Sequence, residues 1–485
     1  MSIKSAIVEK GERLLEKLEI MEDKISEMPE QILHSILSVL TLKEATATSI
    51  LSKRWKDLVS SFMALTSTLN LDVENMIGYE YGKEFWAKGN QRFEFVRWAD
   101  KILQLHQHQK VDVFRVQFCL GQGSACHLDR WTAYAAEKRV QELELDLDLD
   151  MSLKYLLENN LYDFPCWLFR QDREPHIKHL FLNSCILRLP PDFSAFSSLS
   201  VLSLENVLIS EEDILYILSN CLLLESLTMR NCPSIVSLKI DGLCPQLKHL
   251  CISRCHHLKN IEIVAIKLLS FEYIGTMPNL SFKFVPQLVT ACIFTRQGNL
   301  SSDMTYPLDR LSCDIPQLET LLLSSSTMKE NMLPPKLSTF TNLKKLVLMA
   351  GRSSNRGSLI PFTATFLKAS PFLQKFMLHL VAGSPCKEVI TEIQLCSSEF
   401  SHNQLKEVQI SGFRCSPDEI ELASYIVRIA MALEKLIIDP KVTYYEGKGK
   451  WNFTDVNKIW SKCLRENICK SLSRLIPPHV KLIIL

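Results

Sequence analysis

Several patterns are missing from this sequence, and each absence argues against a class of protein. No run of 18 apolar residues occurs, and residues 1–20 hold no uninterrupted apolar segment, so neither a membrane span nor a secretion signal is predicted. The 55 basic and 54 acidic residues leave a formal net charge of +1, which gives no overall attraction for nucleic acid or an anionic membrane. We therefore expect a cytoplasmic or nuclear protein whose partners bind local surfaces.

Catalytic and cofactor signatures are missing too. The nucleophile pattern GxSxG, the metalloprotease pattern HExxH and the kinase motifs do not occur, and residues 441–455 lack the phosphate-loop spacing GxxxxGK[ST]. Histidines and cysteines are dispersed, so no Cys/His nucleophile pair can be read from their spacing. We expect neither catalysis nor a cofactor, and we interpret 441–455 as a surface loop.

The 16 cysteines include no CxxC pair, which favours reduced cysteines that pack in the interior over a disulfide framework. One set could be read as zinc ligands: Cys244, Cys251, Cys255, His256 and His257. Its spacing matches no tetrahedral motif, and Cys255 directly follows a repeat strand, where such repeats often place Asn or Cys. A packing role is therefore favoured over metal binding.

The middle of the chain is repetitive. The apolar pattern LxxLxL begins at residues 140, 177, 199, 224 and 247, continues weakly at 268 and 288, and returns at 318, 343, 373, 405 and 433. The spacing mostly fits the leucine-rich-repeat period and lengthens toward the C-terminus. Stacked repeats place their strands in a parallel sheet on the concave face of a solenoid. With 485 residues, 47% of them hydrophobic, the chain is long enough for a large core of this kind.

The position between the last two apolar residues of each repeat should face the concave surface. Several repeats place an apolar residue there, and these are the candidate substrate-binding residues: Phe181, Cys251, Leu322, Val347 and Met377. An apolar stripe of this kind suits a protein or peptide partner. The alternative is that loops or the C-terminal tail cover it.

Two groups of charged residues could each form either a binding site or an ordinary solvent-exposed surface. Acidic residues alternate with leucines along one strand, as Glu142, Glu144, Asp146, Asp148 and Asp150, which favours a solvated face over a site for a cation or a basic partner. Basic residues occupy variable positions of several repeats: Lys178, His179, Lys248, His249, Lys344, Lys345 and Lys375. If they converge, they could bind a small anionic ligand.

Residues 23–62 have the pattern of two or three short helices. Asp23 can cap a first turn, Pro29 suits a first helical position, and an apolar stripe runs from Ile32 to Leu40. A second run ends in the aromatic Trp55. Because a block of about 40 residues seldom builds a sufficient core of its own, part of its apolar surface is expected to bind a partner.

This block resembles the F-box of ubiquitin-ligase adaptors. The resemblance rests on Ile-Ser-Glu-Met-Pro at 25–29, the stripe at 32–37, Lys-Glu-Ala at 43–45 and Leu-Ser-Lys-Arg-Trp-Lys-Asp-Leu at 51–58. With the repeats and the stretch at 405–436, the chain resembles the plant F-box proteins that carry leucine-rich repeats and a C-terminal FBD region. Met28 stands where that family usually has Leu. Thr41 replaces a usual Pro, which predicts a looser turn between the first helices.

The resemblance implies an α/β protein: a small N-terminal helical F-box, an irregular leucine-rich-repeat solenoid with parallel strands on its concave face, and an α/β C-terminal cap. The implied boundaries are an N-terminal extension at 1–21, the F-box at 22–62, the solenoid at 63–395, and the FBD-like region with the cap at 396–485. Within the last region, the residue pattern itself predicts strand, helix and strand at 405–436 and a final strand at 480–485.

The function implied by the resemblance is that of a non-catalytic, substrate-recognition subunit of a Skp-cullin-F-box ubiquitin ligase. The F-box would bind a Skp-type adaptor, and through it a cullin-RING ligase, while the repeats would bind a protein substrate. The implied adaptor-binding residues are Met28, Pro29, Ile32, Leu33, Ile36, Leu37, Leu51 and Trp55. Two alternatives stay open: a co-receptor of the same ligase class that needs a small ligand, and a repeat scaffold outside any ligase.

Overall fold

A computed structural model describes residues 28–64, 67–77, 89–106, 110–147, 161–169, 175–295, 305–325, 337–351, 359–381, 400–454, 472–474 and 476–485. The predicted extension at 1–21, the acidic residues Asp148 and Asp150, and the greater part of a predicted Gly/Ser/Arg-rich loop at 350–360 lie outside these ranges. The chain divides into two compact units, Met1–Leu168 and Phe169–Leu485. Among the described residues, no helix is both long and apolar enough to cross a membrane.

The first unit begins with three short helices: α1 (Glu30–Ser38), α2 (Leu42–Thr48) and α3 (Lys53–Ala64). The turn between α1 and α2 is closed by a capping box, in which the Thr41 hydroxyl accepts from the Glu44 amide and the Glu44 carboxylate accepts from the Thr41 amide. The predicted loosening of this turn is therefore wrong, because Thr41 supplies an N-cap that Pro would lack.

The rest of the first unit alternates strands with helices. It contains β1 (Thr68–Asp72), α4 (Val73–Ile77), α5 (Gly89–Leu105), β2 (Val113–Gln117), α6 (Ala125–Lys138), β3 (Glu142–Asp146) and the two-residue strand β4 (Tyr162–Asp163). Strands β1, β2 and β3 pair in parallel. Their alternate leucine, phenylalanine and valine side chains are buried, which gives the sheet one apolar face and one polar face.

The second unit is a parallel sheet of twelve strands. They are β5 (His179–Asn183), β7 (Val201–Glu205), β8 (Ser226–Arg230), β10 (His249–Ser253), β12 (Ser270–Gly275), β14 (Thr290–Thr295), β15 (Thr320–Ser325), β16 (Lys345–Gly351), β17 (Lys375–Val381), β18 (Glu407–Ser411), β19 (Lys435–Asp439) and β22 (Lys481–Ile484). Every LxxLxL copy predicted from residue 177 onward contributes one of these strands. The solenoid fold is confirmed.

Three shorter strands form a second parallel sheet: β9 (Ser237–Asp241), β11 (Asn260–Val264) and β13 (Asn279–Phe284). The rings of Phe271, in β12, and Phe282, in β13, meet edge to face at 5.2 Å, so the two sheets enclose a common apolar interior. Leucines such as Leu202, Leu227 and Leu250 fill it and are essentially fully buried, each contributing about 1.5–3 kcal/mol through burial.

Helices and short strands complete the second unit. They are β6 (Cys185–Ile186), α7 (Glu211–Asn220), α8 (Thr305–Asp314), α9 (Leu359–Ala369), α10 (Pro417–Ile429), β20 (Thr443–Gly447) and β21 (Lys450–Phe453). The predicted strand, helix and strand at 405–436 and the final strand are present as β18, α10, β19 and β22. Residues 441–455, predicted as a surface loop, instead contain an antiparallel hairpin of β20 and β21.

Candidate functional sites

The helical block at the start of the chain has an interior of its own. Leu33, Leu37 and Trp55, all predicted to contact an adaptor, are at most 3% exposed and pack with Leu58 and Val59. Their amphipathic spacing correctly indicated an apolar stripe, but that stripe mostly faces the other helices of the block. In this structure these three side chains hold the block together.

Other apolar side chains of the block remain on its surface. Met28 is 37% exposed, Ile32 48% and Leu51 62%, whereas Ile36 is half-buried. Two exposed apolar residues were missed from the sequence: Val39 at 82% and Ile50 at 76%. Their positions beside turns could have indicated this exposure, because a large apolar side chain there has no neighbour in its own helix to cover it.

One hydrogen bond brings these exposed residues toward one another. The Arg54 guanidinium donates to the Met28 carbonyl at 2.8 Å, which holds the start of α3 beside the start of α1. Ile32 lies in the first turn of α1, and Ile50 and Leu51 lie two to three residues before α3. Met28, Ile32, Ile50 and Leu51 therefore flank the two helix starts that this bond joins, and such a patch is typical of a protein-binding site. Val39 follows the opposite end of α1.

In the second unit, the five candidate substrate-binding residues lie in a single row across the sheet. The register of the pairs aligns, strand by strand, Phe181, Ser203, Thr228, Cys251, Glu272, Cys292, Leu322, Val347, Met377 and Gln409. We call the face that carries this row, opposite the leucine interior, the open face. Val347 is buried on it, whereas the other four candidates are half-buried.

The β20–β21 hairpin lies on the open face and is held there by one carboxylate. Glu272, in the middle of β12, accepts from the Tyr445 hydroxyl at 2.8 Å and from the Lys448 amide at 3.0 Å. The Gly449 amide donates to the same Tyr445 oxygen at 2.8 Å. Lys448 also reaches the Glu205 carboxylate at 3.3 Å. Part of the C-terminal region thus covers part of the predicted concave surface.

Apolar contacts add to this attachment. Ile274, Phe294, Met349 and Tyr445 form a buried cluster, and the rings of Phe294 and Tyr445 stack at 4.9 Å. Burial raises the pKa of the Tyr445 hydroxyl, so this group is a neutral donor to Glu272.

Further along the hairpin, the ring of His379, in β17, contacts that of Trp451 at 4.9 Å. Burial, reinforced by the positive charge of Lys345, lowers the pKa of His379 to about 4, so the ring is neutral at pH 7.

A cavity of about 610 Å³ lies between the hairpin and the open face. Its floor comes from β7, β8, β10, β12, β14, β15 and β16, and its other wall from Tyr445, Lys448, Gly449 and Trp451. Cys251 and Leu322, two of the candidate substrate-binding residues, line it, whereas the other three do not. No sequence pattern indicates this cavity, because the residues that close it lie far from its floor along the chain.

The basic residues that could form an anion site if they converged do not come together as a set. Lys248, Lys344 and Lys375 each form an ion pair with a glutamate, at 2.6 to 2.8 Å. His249 and Lys345 line the cavity.

Side chains of the acidic strand, and some of the cysteine and histidine set, form contacts within the protein. Arg115 pairs with Glu142 and Glu144, at 3.3 and 2.9 Å. The thiol of Cys244 donates to the Leu218 carbonyl, and His257 contacts the Pro233 carbonyl. Within the described ranges, no three His, Cys, Asp or Glu side chains are grouped so as to hold a metal ion.

Comparison with known proteins identifies both units. A family model described as the LRR domain of At1g61320/AtMIF1 matches residues 102–474, and the F-box domain model matches residues 25–65. The chain belongs to the F-box/leucine-rich-repeat family. The exposed patch of the first unit therefore lies on an F-box, and the open face lies on a leucine-rich-repeat solenoid.

Individual relatives from Arabidopsis thaliana are similar to this chain over most of its length. F-box/LRR-repeat protein At5g02910 is 29% identical over 86% of both chains. F-box/LRR-repeat protein At3g03360 is 26% identical over 80% of this chain and 79% of its own. FBD-associated F-box protein At4g10400 is 26% identical over 73% of this chain and 77% of its own. The similarity thus extends over most of each protein.

Proposed function

We propose that this F-box/LRR protein is the substrate-recognition subunit of a Skp-cullin-F-box ubiquitin ligase. The observation that carries the proposal is the exposed apolar patch on the F-box, formed by side chains that the block does not need for its own interior. Binding a Skp-type adaptor would bury this patch and connect the chain to a cullin-RING ligase. The free thiols of all cysteines within the described ranges support a reducing compartment, cytosolic or nuclear.

The chain itself would contribute position rather than chemistry. A substrate bound to the repeats is tethered near the ubiquitin thioester carried by another subunit, so transfer to a substrate lysine becomes effectively intramolecular. The large open face supports this role, since rows of side chains from many strands give an extended surface for a protein. Phe181 and Met377 remain candidates for that contact, together with the cavity-lining Cys251 and Leu322, whereas Val347 is buried and a substrate could not reach it.

For the adaptor contact, we assign the direct role to the exposed residues Met28, Pro29, Ile32 and Leu51, with Ile36 at the edge. We add Val39 and Ile50 on the basis of their exposure. Leu33, Leu37 and Trp55 would act indirectly, because they fix the positions of the helices that present this surface.

The test is co-expression with a Skp-type adaptor followed by size-exclusion chromatography. The wild-type chain is expected to elute with the adaptor in equimolar amounts. An Ile32→Lys, Leu51→Lys variant is expected to elute alone, because placing two charges in a buried apolar contact costs about 3 kcal/mol or more, roughly a hundredfold in Kd. The matched control is Leu222→Lys, Leu223→Lys, which changes two leucines of similar exposure in the repeats.

The possible outcomes separate the hypotheses. A variant that still elutes with the adaptor would contradict the assigned surface. A wild-type chain that is folded but elutes alone would contradict the ligase function and favour a scaffold. The ligand-dependent alternative has a specific observation in its favour, the cavity beneath the hairpin, and predicts that substrate binding needs an occupant there.

A further inference from the structure

The cavity beneath the β20–β21 hairpin has the dimensions of a small-molecule site. Its volume of about 610 Å³ falls within the roughly 300–1,000 Å³ typical of ligand pockets. Seven strands of a rigid sheet form one wall, and the hairpin forms the other. A site with one fixed wall and one wall on a hairpin can enclose a ligand that is much smaller than a protein substrate.

Its hydrogen-bond donors are partly unused. Lys345 lines the cavity, and among the described residues its ammonium group has no ion-pair or hydrogen-bond partner, in contrast to the neighbouring lysines. Within the same ranges, the indole N–H of Trp451 likewise donates no hydrogen bond. The hydroxyls of Thr290 and Thr320 add further polar groups to the floor. This set favours a ligand that accepts hydrogen bonds.

The one carboxylate of the cavity is already occupied. Glu272 receives hydrogen bonds from the Tyr445 hydroxyl and from the Lys448 amide, so it is not available to bind a cation. The side chain of Lys448 is paired with Glu205. The charge left without a partner in the cavity is therefore the positive charge of Lys345.

Apolar surface accompanies this charge. Leu322, Cys292 and the rings of Tyr445 and Trp451 line the cavity. An inorganic anion would leave these groups without contacts, whereas an organic anion with an apolar or aromatic body would cover them and gain about 25 cal/mol per Å² of buried apolar area.

We propose that the cavity between the open face and the hairpin binds a small organic monoanion, whose acidic group pairs with Lys345 and whose apolar body packs against Trp451 and Leu322. A ligand with one negative charge fits because Lys345 is the one cation of the lining that has no partner among the described residues. A polyphosphate would bring excess negative charge close to Glu272. The proposal rests on the ligand-dependent form of the proposed function. Because the ligand touches both walls, its binding would also stabilise the hairpin on the sheet.

The experiment uses two fluorescent probes that differ chiefly in one charged group. 8-Anilinonaphthalene-1-sulfonate is an aromatic monoanion, and N-phenyl-1-naphthylamine is its neutral counterpart. Titrated against the full-length protein, the anionic probe is expected to saturate a single site. Lys345→Met is expected to weaken the binding of this probe about tenfold or more, since it removes a charge-assisted contact. The same change should leave the binding of the neutral probe within about twofold, because the apolar wall is unchanged.

Lys344→Met is the matched control, because Lys344 is the preceding residue, is paired with Glu319 and does not line the cavity. It is expected to bind the anionic probe as the wild type does. Equal affinity of the Lys345→Met and wild-type proteins for the anionic probe would overturn the proposal, as would an equal loss with Lys344→Met. The absence of a saturable site in the wild type would also overturn it.

A second variant tests the hairpin wall without removing its ring contacts. Trp451→Phe keeps an aromatic ring beside His379 but removes the indole N–H, and it is expected to weaken the anionic probe about threefold to tenfold. No change in affinity would remove Trp451 from the site. The probe titrations measure binding to the repeats alone. They can therefore fail while the adaptor still co-elutes with the chain, and co-elution can fail while the probes still bind. Failure of the ligand proposal is thus distinguishable from failure of the proposed function.

Discussion

Gly412 shows how one backbone position constrains the packing of neighbouring repeats. It directly follows β18 and has a φ of +74°, in the left-handed region. A Cβ atom placed there would overlap the carbonyl oxygen of Leu380, in the neighbouring strand β17. Both the backbone conformation and the space therefore require glycine at this position.

We expect Gly412→Ala to lower the free energy of unfolding by about 2–4 kcal/mol, because left-handed strain and a backbone clash add together. Gly242→Ala is the matched control, since Gly242 has a φ of +70° but only a distant contact with Val264. Its expected cost is about 1 kcal/mol. Urea denaturation of the two variants measures the difference, and equal costs would show that the clash with Leu380 relaxes.

At the level of single residues, the sequence predicts that a side chain makes apolar contacts better than it predicts which surface the side chain contacts. The apolar character of Leu33 and Trp55 was correctly read, but a one-dimensional pattern does not say whether an apolar side chain faces its own block or a partner. Thr41 was interpreted only as a lost proline. Its capping box depends on the pairing with Glu44, three residues later, and a Thr-x-x-Glu pattern of this kind could have been recognised.

Among the elements, the strands of the large sheet were predictable, whereas the attachment of the β20–β21 hairpin to them was not. Each LxxLxL copy carries its own local signal, since alternate leucines define a strand whatever its neighbours are. The hairpin is attached through Glu272, which lies 173 residues before Tyr445 in the chain. A contact between residues so far apart in the chain leaves no signal in a short stretch of sequence. The strands β9, β11 and β13 were also missed, because the repeat pattern covers only the first strand of each unit.

The attachment of the hairpin through Glu272 leads to a prediction about its dynamics. Glu272→Ala leaves the Tyr445 hydroxyl and the Lys448 amide without their acceptor, at a cost of about 1–3 kcal/mol. We expect amide hydrogen exchange in residues 443–453 to accelerate about tenfold or more, while exchange in β12 and β14 changes little. The control is Glu262→Ala in β11, outside the hairpin contact. Unchanged exchange in the Glu272→Ala protein would mean that the apolar cluster alone holds the hairpin.

Over the whole molecule, buried neutral histidines link stability to pH. His106, in the first unit, and His379, in the second, are each 2% exposed, and burial lowers the pKa of both rings from 6.5 to about 4. Between these two values the unfolded chain binds a proton that the folded chain excludes. The contribution of these two rings to stability is therefore fully present above pH 6.5 and is lost as the pH falls toward 4.

Each of these rings should contribute a slope of up to about 1.4 kcal/mol per pH unit in that range. His379→Phe keeps a ring beside Trp451 and is expected to reduce the loss of stability between pH 6.5 and 4.5, measured by urea denaturation at a series of pH values. His256→Phe, at an exposed position, serves as the control. An identical pH profile for the His379→Phe and wild-type proteins would contradict the prediction.

The position of the hairpin also matters while the chain is being made. Ile274 and Phe294, which it covers, leave the ribosome well before Tyr445, and at roughly 5–20 residues per second the interval that separates Glu272 from Tyr445 lasts about 9–35 s. During that time the growing sheet presents an uncovered apolar surface. We therefore expect chaperones to bind the chain at this stage of synthesis, and a chain cut short before residue 443 to keep that surface exposed and to be prone to aggregation.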